Sequence, residues 1–327
     1  MNNRRKLMLA LGASALAAPL ASFAQQQGKP VRVAILSPTT EAKTQTSKQF
    51  VDAMRGLGWI EGRNIAYDRV YADDNASRLP ALAAALVARG PDLIHSTSNP
   101  VILAVFARTR SIPIVFSASN DPVGSGLVQS HAHPGGNVTG VANIGFELGG
   151  KRLQLLKQAL PKVTRVAVMV NPLLPENPRE LKLIEDAAKT LGITVIPVIV
   201  KEQAEFDAGF TILAKQRIDA LLTTHISMFL DNRKRILGFA AARKIPAVGH
   251  RGQLADDGAL LSYSSILIDQ VNRSAQMADK ILKGAKPADI PVEQPTKFEL
   301  AVNMKTAKTL GLKIPASFLV QATRLIE

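Results

Sequence analysis

The chain has 327 residues, more than a single hydrophobic core usually organises, so two domains are expected. With 46% hydrophobic and 20% charged residues it reads as an ordinary globular protein, and with no cysteine it excludes disulfide frameworks, iron–sulfur clusters, Cys-zinc sites and thiol nucleophiles. The formal charge of +14 would suit nucleic acid only if the basic residues clustered, but they are scattered. The longest basic runs are Arg4-Arg5-Lys6 and Arg233-Lys234-Arg235, and no aromatics interleave them, so no nucleic-acid partner is expected.

The first run belongs to a three-part export signal: charged residues, an apolar stretch from Leu7 to about Leu20, then small residues at Ser22 and Ala24. The stretch is short for a membrane span and is interrupted by Gly12 and Pro19, so cleavage before Gln25 is the reading, with delivery to the periplasm. The Arg4-Arg5 pair also resembles a twin-arginine signal. N-terminal sequencing of the periplasmic fraction should begin at Gln25; Met1 on abundant soluble protein would refute this.

Beyond the signal, short apolar runs alternate with amphipathic helices. Val31–Leu36 reads as a buried strand, residues 44–57 as a helix stopping at Gly58, Ile65–Tyr71 as a strand, and residues 78–89 as a helix ending before Gly90. Leu93–Ser96, a helix over 100–108 and a strand over 114–117 follow. Continuous apolar strands separated by helices indicate parallel sheet covered on both faces. The series then recurs. Arg32-Val33-Ala34 returns as Arg165-Val166-Ala167, Leu57-Gly58 as Leu191-Gly192, Ile112-Pro113 as Ile245-Pro246, and Pro91-Asp92-Leu93-Ile94 more loosely as Ile218-Asp219-Ala220-Leu221. The fold class expected is therefore α/β, with two similar Rossmann-like lobes and parallel sheets. After the signal at 1–24, the N-terminal lobe is placed at 25–120, a crossover rich in Gly, Pro, Asn and His at 121–145, the C-terminal lobe at 146–262, and a return segment with C-terminal tail at 263–327. The return segment includes a helix over 266–283, with Leu267, Val271, Ala275, Ala278 and Leu282 on one face, and a strand over 298–303.

In such sheets ligands sit beyond the carboxyl ends of the strands. The candidates there are Ser37 and Thr39, Thr97 and Ser98, Ser117, Ser119 and Asp121, Asn171, Thr224 with His225, and His250 in Gly249-His250-Arg251. Hydroxyls and backbone N–H groups at helix starts suit a small anion, although helix capping asks for the same residue types. Tyr263, Phe116, Phe146 and Phe229 are candidates to stack on an apolar ligand, although each taken alone fits core packing better. His95, His225 and His250 could face the cleft. His131-Ala132-His133 lies in a turn-rich loop and Asp256-Asp257 beside Gly258 reads as a turn, so no metal or cofactor is expected. GxGxxG, GxxxxGK[ST] and GxSxG are all missing, which weakens an enzyme reading. A secreted two-lobe α/β enzyme acting on a small carboxylate is the alternative carried beside solute binding. A repressor-like sensor would need DNA-binding helices where the export signal stands.

Several segments resemble a known family: Arg78-Leu79-Pro80-Ala81-Leu82-Ala83, Ile112-Pro113-Ile114-Val115-Phe116, Asp121-Pro122-Val123, Pro134-Gly135-Gly136-Asn137-Val138-Thr139-Gly140-Val141, Lys151-Arg152-Leu153, and the run from Ile281 to Asp289 continued by Gln294-Pro295-Thr296-Lys297-Phe298-Glu299-Leu300. Together they resemble the TrpX-like ABC-transporter substrate-binding proteins. The resemblance implies a type I periplasmic binding fold, two lobes joined by hinge crossovers and closing on a small ligand, and delivery to a permease in the inner membrane. It implies an amino acid, aromatic or another carboxylate, as the ligand. It also implies that Thr97, Ser98, Ser117 and Ser119 hold the carboxylate and Asp121 faces the ammonium group.

Overall fold

The computed structural model describes residues 29–43, 45–174 and 176–327. The export signal lies outside them. Five strands form one sheet: β1 (Val31–Ser37), β2 (Ile65–Tyr71), β3 (Leu93–Ser96), β4 (Ile114–Asn120) and β5 (Val138–Asn143), in the order β2-β1-β3-β4-β5. Seven form the other: β6 (Arg165–Val170), β7 (Thr194–Ile199), β8 (Ala220–Thr223), β9 (Ala247–Gly249), β10 (Leu261–Ser265), β11 (Phe298–Asn303) and β12 (Arg324–Ile326), in the order β12-β11-β10-β9-β8-β6-β7. The first five strands of each sheet follow one order, second-first-third-fourth-fifth. The repeated tripeptide and dipeptides of the sequence are thus the trace of two copies of one topology. Leu57-Gly58 and Leu191-Gly192 mark the same helix end twice, and Gly58 and Gly192 take the left-handed φ values of +94° and +64° that end a helix there.

The pairs β1–β2, β1–β3, β3–β4, β6–β7, β6–β8, β8–β9, β9–β10 and β11–β12 are parallel, as continuous apolar strands predict. One pairing departs from that expectation: β11 runs antiparallel to β10, with Tyr263 opposite Leu300. The tail is also more than helical. After short helices at Met304–Thr309 and Ala316–Leu319 it adds β12 at the sheet edge, where Ala301 pairs with Arg324. Three residues, two of them apolar, are too few to announce a strand without the neighbour that pairs with it.

By compactness the chain divides into unit 1 (1–116, 127–140, 271–291) and unit 2 (117–126, 141–270, 292–327). Within unit 1 the C-terminal part of the helix Leu267–Leu282 packs through Val271, Ala275 and Ala278, all fully buried. Its Asp279 carboxylate accepts the Trp59 indole N–H at 2.9 Å and its Asn272 amide oxygen accepts from Gln49 at 2.8 Å. The turn-rich segment over 121–145 carries β5, whose Gly140 sits at φ +155°. A Cβ there would come within 2.1 Å of the Phe116 carbonyl oxygen, so only glycine lets the strand approach its neighbour. In unit 2 one core joins Leu153, Leu156, Val166, Val168, Ile184 and Leu222, and a second joins Met169, Phe206, Phe229 and Leu237. Phe116, Phe229 and Phe146 are buried, so these three aromatics belong to packing. Among the described residues no helix is long and apolar enough to cross a membrane.

Candidate functional site

In unit 1, β1 and β3 are parallel neighbours with Ile35 opposite His95. The loops carrying Ser37 with Thr39 and Thr97 with Ser98 therefore leave the same end of the sheet. Ser37 and Thr39 close a small turn: their hydroxyl oxygens are 3.2 Å apart, and the Thr39 N–H donates to Ser37 Oγ at 3.3 Å. The Thr97 hydroxyl lies 3.4 Å from that of Thr46. Ser98 is the N-cap residue of the helix Asn99–Phe106, with extended backbone (φ −126°, ψ 127°), but its side chain makes no capping hydrogen bond. Its hydroxyl is not spent on the helix, so here the structure separates the capping role from a ligand role. His95, expected at the strand end facing the cleft, is instead fully buried. Its ring stacks on Phe50 at 3.7 Å and 12°, and Nε2 lies 3.3 Å from Ser274 Oγ. Burial lowers its pKa to about 3, so it is a neutral core histidine.

In unit 2, β4 runs past its expected end at Ser117 to Asn120, so Ser119 lies within the strand together with Ser117, and the chain turns only at Asp121, φ +45°. Both serines are buried. Small residues extend a strand wherever a neighbouring strand takes up their backbone groups, and no periodicity announces it. The Asp121 carboxylate accepts from the Gly124 N–H at 2.9 Å and pairs with Arg179 at 2.8 Å, while the Arg179 guanidinium lies 5.1 Å from the Phe146 ring centroid. Asn171 closes its own turn, accepting from the Leu173 N–H at 3.0 Å and donating to the Lys201 carbonyl at 2.9 Å. The Thr224 hydroxyl is buried and donates to Asn177 Oδ1 at 2.5 Å. The Tyr263 ring stacks on Phe298 at 5.7 Å. Those side chains hold the strand-end loops in shape.

Beneath the loops lies an ion pair that sequence reading did not single out. Arg152 and Glu180 are both fully buried, with Nη1 2.8 Å from Oε1. Arg152 also donates to the Tyr263 carbonyl at 2.9 Å and the Gly145 carbonyl at 2.8 Å, and Glu180 accepts the His225 N–H at 2.6 Å. One buried pair thereby ties down three segments at the carboxyl end of the sheet. The signal was present. Arg152 lies on the stripe Gly149, Arg152, Leu153, Leu156, and Glu180 on the stripe Asn177, Glu180, Ile184, Ala188, spacings that point a helix residue inward. A charge on an inward stripe requires a partner.

Over this platform stand His225, His250 and Arg251. The two imidazoles meet edge to face at 5.2 Å and 74°, and His250 Nδ1 lies 2.9 Å from Thr223 Oγ1. Gly145 leaves room for His225, since a Cβ there would come within 2.6 Å of its ring. Burial holds both histidines well below their usual pKa, and the charges of Arg251 and Arg152 add to the effect, so both rings are neutral. Burial and the Arg152 charge pull Arg251 down to about 10, and it still carries its proton at neutral pH. Among the described residues no group of three or more His, Asp or Glu side chains is placed to hold a metal ion.

Taken separately, unit 1 offers hydroxyls and helix N–H groups at its strand ends, and unit 2 offers neutral imidazoles with a guanidinium. Those groups suit recognition of a small polar solute, and comparison with known proteins gives that reading a lineage. A family model for ABC transporter substrate-binding proteins matches residues 32–326. A tyrosine-binding protein of Clostridioides difficile (strain R20291) is 26% identical over 269 residues, covering 82% of this chain and 77% of the relative. Among solved structures, a conserved domain protein of Vibrio cholerae superposes with a TM-score of 0.82 at 26% identity, covering 91% of this chain and all of the other. An ABC domain from Streptococcus pneumoniae in complex with L-Trp reaches the same TM-score at 24% identity, again over 91% of this chain and 100% of that one, and shares the fold. A match that begins one residue into β1 and ends within β12 takes in both sheets, and on it this chain belongs to the ABC transporter substrate-binding protein family.

Proposed function

We propose that this protein binds an amino acid with an aromatic side chain, or a closely related carboxylate, and presents it to the permease of an ABC transporter. The family match over residues 32–326 carries the reading. The solute class follows from the relative named for tyrosine binding and the fold neighbour solved with L-Trp. The N-terminal export signal puts the mature chain in the periplasm, where the solute is met, and the role is capture, not chemistry. The proposed contacts are the hydroxyls of Ser37, Thr39, Thr97 and Ser98 in unit 1 and, in unit 2, the hydroxyls of Ser117 and Ser119 and the imidazoles of His225 and His250. Asn171, Thr224 and Tyr263 support the loops that carry them.

A thermal-shift screen of the common amino acids tests the class, because a ligand at a hundred times its Kd stabilises the folded state by about 2.7 kcal/mol. L-tyrosine or L-tryptophan should give the largest shifts; shifts confined to sugars or polyols would refute the reading. Ser98 gives the residue-level test. Its hydroxyl makes no cap bond, so Ser98→Ala should leave the unliganded melting temperature nearly unchanged. A hydrogen bond to a charged group is worth roughly 1.5–3 kcal/mol, so affinity should fall by about ten- to a hundredfold in calorimetric titration. Wild-type affinity in both Ser98→Ala and Thr97→Ala would remove this loop from the site.

A further inference from the structure

We propose that Arg251 supplies the fixed positive charge that recognises the carboxylate of the solute. The argument deepens the solute-binding reading above and rests on it. Arg251 lies two residues beyond β9, next to His250 at the carboxyl end of that strand, and it is partly, not wholly, shut off from solvent. Two guanidiniums influence this neighbourhood, those of Arg152 and Arg251. The Glu180 carboxylate is saturated: one oxygen takes Arg152 and the other the His225 N–H. His225 and His250 are neutral. Among the described residues Asp121 is taken by Arg179, and Glu299 and Asp256 by Arg324. The remaining carboxylate, Glu147, acts on Glu180 and feels Arg179 and Asp121 but forms no ion pair with Arg251, so Arg251 is the cation here without a contact partner among the described residues. Among the described residues no hydrogen bond or ion pair joins the Arg251 guanidinium to a side chain or carbonyl, whereas Arg152, Arg179, Arg233 and Arg324 of the same unit are all paired.

An arginine that is mostly desolvated, repelled by a second arginine and left without an acceptor lowers the stability of the empty protein. Its retention makes physical sense where an anion completes the balance. A planar five-donor fork matches a carboxylate through two parallel hydrogen bonds, a geometry that lysine does not reproduce. The neutral imidazoles beside it leave the guanidinium as the principal local charge, so an acid is selected over an amine of the same shape.

The experiment pairs Arg251→Gln and Arg251→Lys with wild type, using L-tyrosine and L-tryptophan against tyramine and tryptamine, which lack only the carboxylate. Wild type should bind the acids more tightly than the amines. Arg251→Gln should lose about ten- to a hundredfold in affinity for the acids and little for the amines, and Arg251→Lys should fall between. Equal loss for acids and amines, or undiminished acid binding in Arg251→Gln, would overturn the assignment. Melting without ligand gives a second readout: Arg251→Gln should hold or gain about 2–4 °C, since it removes an unpaired charge. A loss of several degrees would mark a structural role and also overturn it. If neither aromatic acid binds wild type but another amino acid does, the aromatic class fails alone and the Arg251 comparison moves to that acid and its decarboxylated amine. If wild type binds only neutral or cationic solutes, the Arg251 assignment fails while solute binding stands.

Discussion

Arg152→Met is expected to cost about 3–5 kcal/mol, the usual loss when one partner of a buried ion pair is removed. The substitution leaves the Glu180 carboxylate buried beside a single remaining donor, the His225 N–H, and strips the Tyr263 and Gly145 carbonyls of theirs. The pKa of Glu180 is raised, first by burial and further by the Glu147 charge, and the Arg152 charge and the His225 N–H oppose that rise. Both carboxylate oxygens accept N–H donors, an arrangement that requires the ionised form. At about 2–4 °C per kcal/mol for a unit of this size, the melting temperature should fall by roughly 10 °C in calorimetry. The double variant Arg152→Met/Glu180→Leu should recover a substantial part, because no charge is then left unpaired. A double variant as unstable as the sum of the single changes would show that the two residues act independently. Solute affinity should fall as well in Arg152→Met, since the His225 loop and strand β10 at Tyr263 lose their common anchor.

The second large effect is with acid. His95 is neutral in the folded protein, with a pKa of about 3, but titrates near 6.5 when unfolded. Below pH 6.5 the unfolded chain therefore binds a proton that the folded chain refuses, and stability is lost as pH falls. At pH 5 this histidine alone contributes a loss of about 2 kcal/mol relative to neutral pH. His225 and His250 act in the same direction, while burial raises Glu147 and Glu180, which oppose it. Comparison with His95→Gln isolates the one group. Urea unfolding should show the wild type more stable at pH 7.5 and its advantage over His95→Gln shrinking by about 2 kcal/mol by pH 5. An advantage that does not change with pH would mean that His95 keeps its ordinary pKa when folded.

Both effects arise from residues whose importance was only partly legible in sequence. His95 lies near the end of the run Leu93–Ser96 and reads as a strand-end group that could face the cleft. It is the packing of Phe50 and Ser274, residues 45 positions before it and 179 after, that makes it core. The candidate hydroxyls divide the same way. Ser98 sits where strand and helix patterns place it, whereas Thr224 and Asn171 occupy the expected loops but donate to Asn177 and Lys201.

Taken alone, the amino-acid sequence determined the α/β class, most strand and helix positions, and the doubling of one topology. Those features follow from local periodicity, glycine stops and recurrence of short words, which every window of the chain carries within itself. Only the tertiary structure decided that β11 reverses direction beside β10, that Arg324–Ile326 forms an edge strand, and that β4 continues past Ser117 to take in Ser119. The same holds for the charges. Arg152, Arg179 and Arg251 are alike in sequence, but one is buried with Glu180, one is spent on Asp121, and one is left over. Whether a cation is neutralised depends on acceptors brought from distant segments, and no local pattern records their distance.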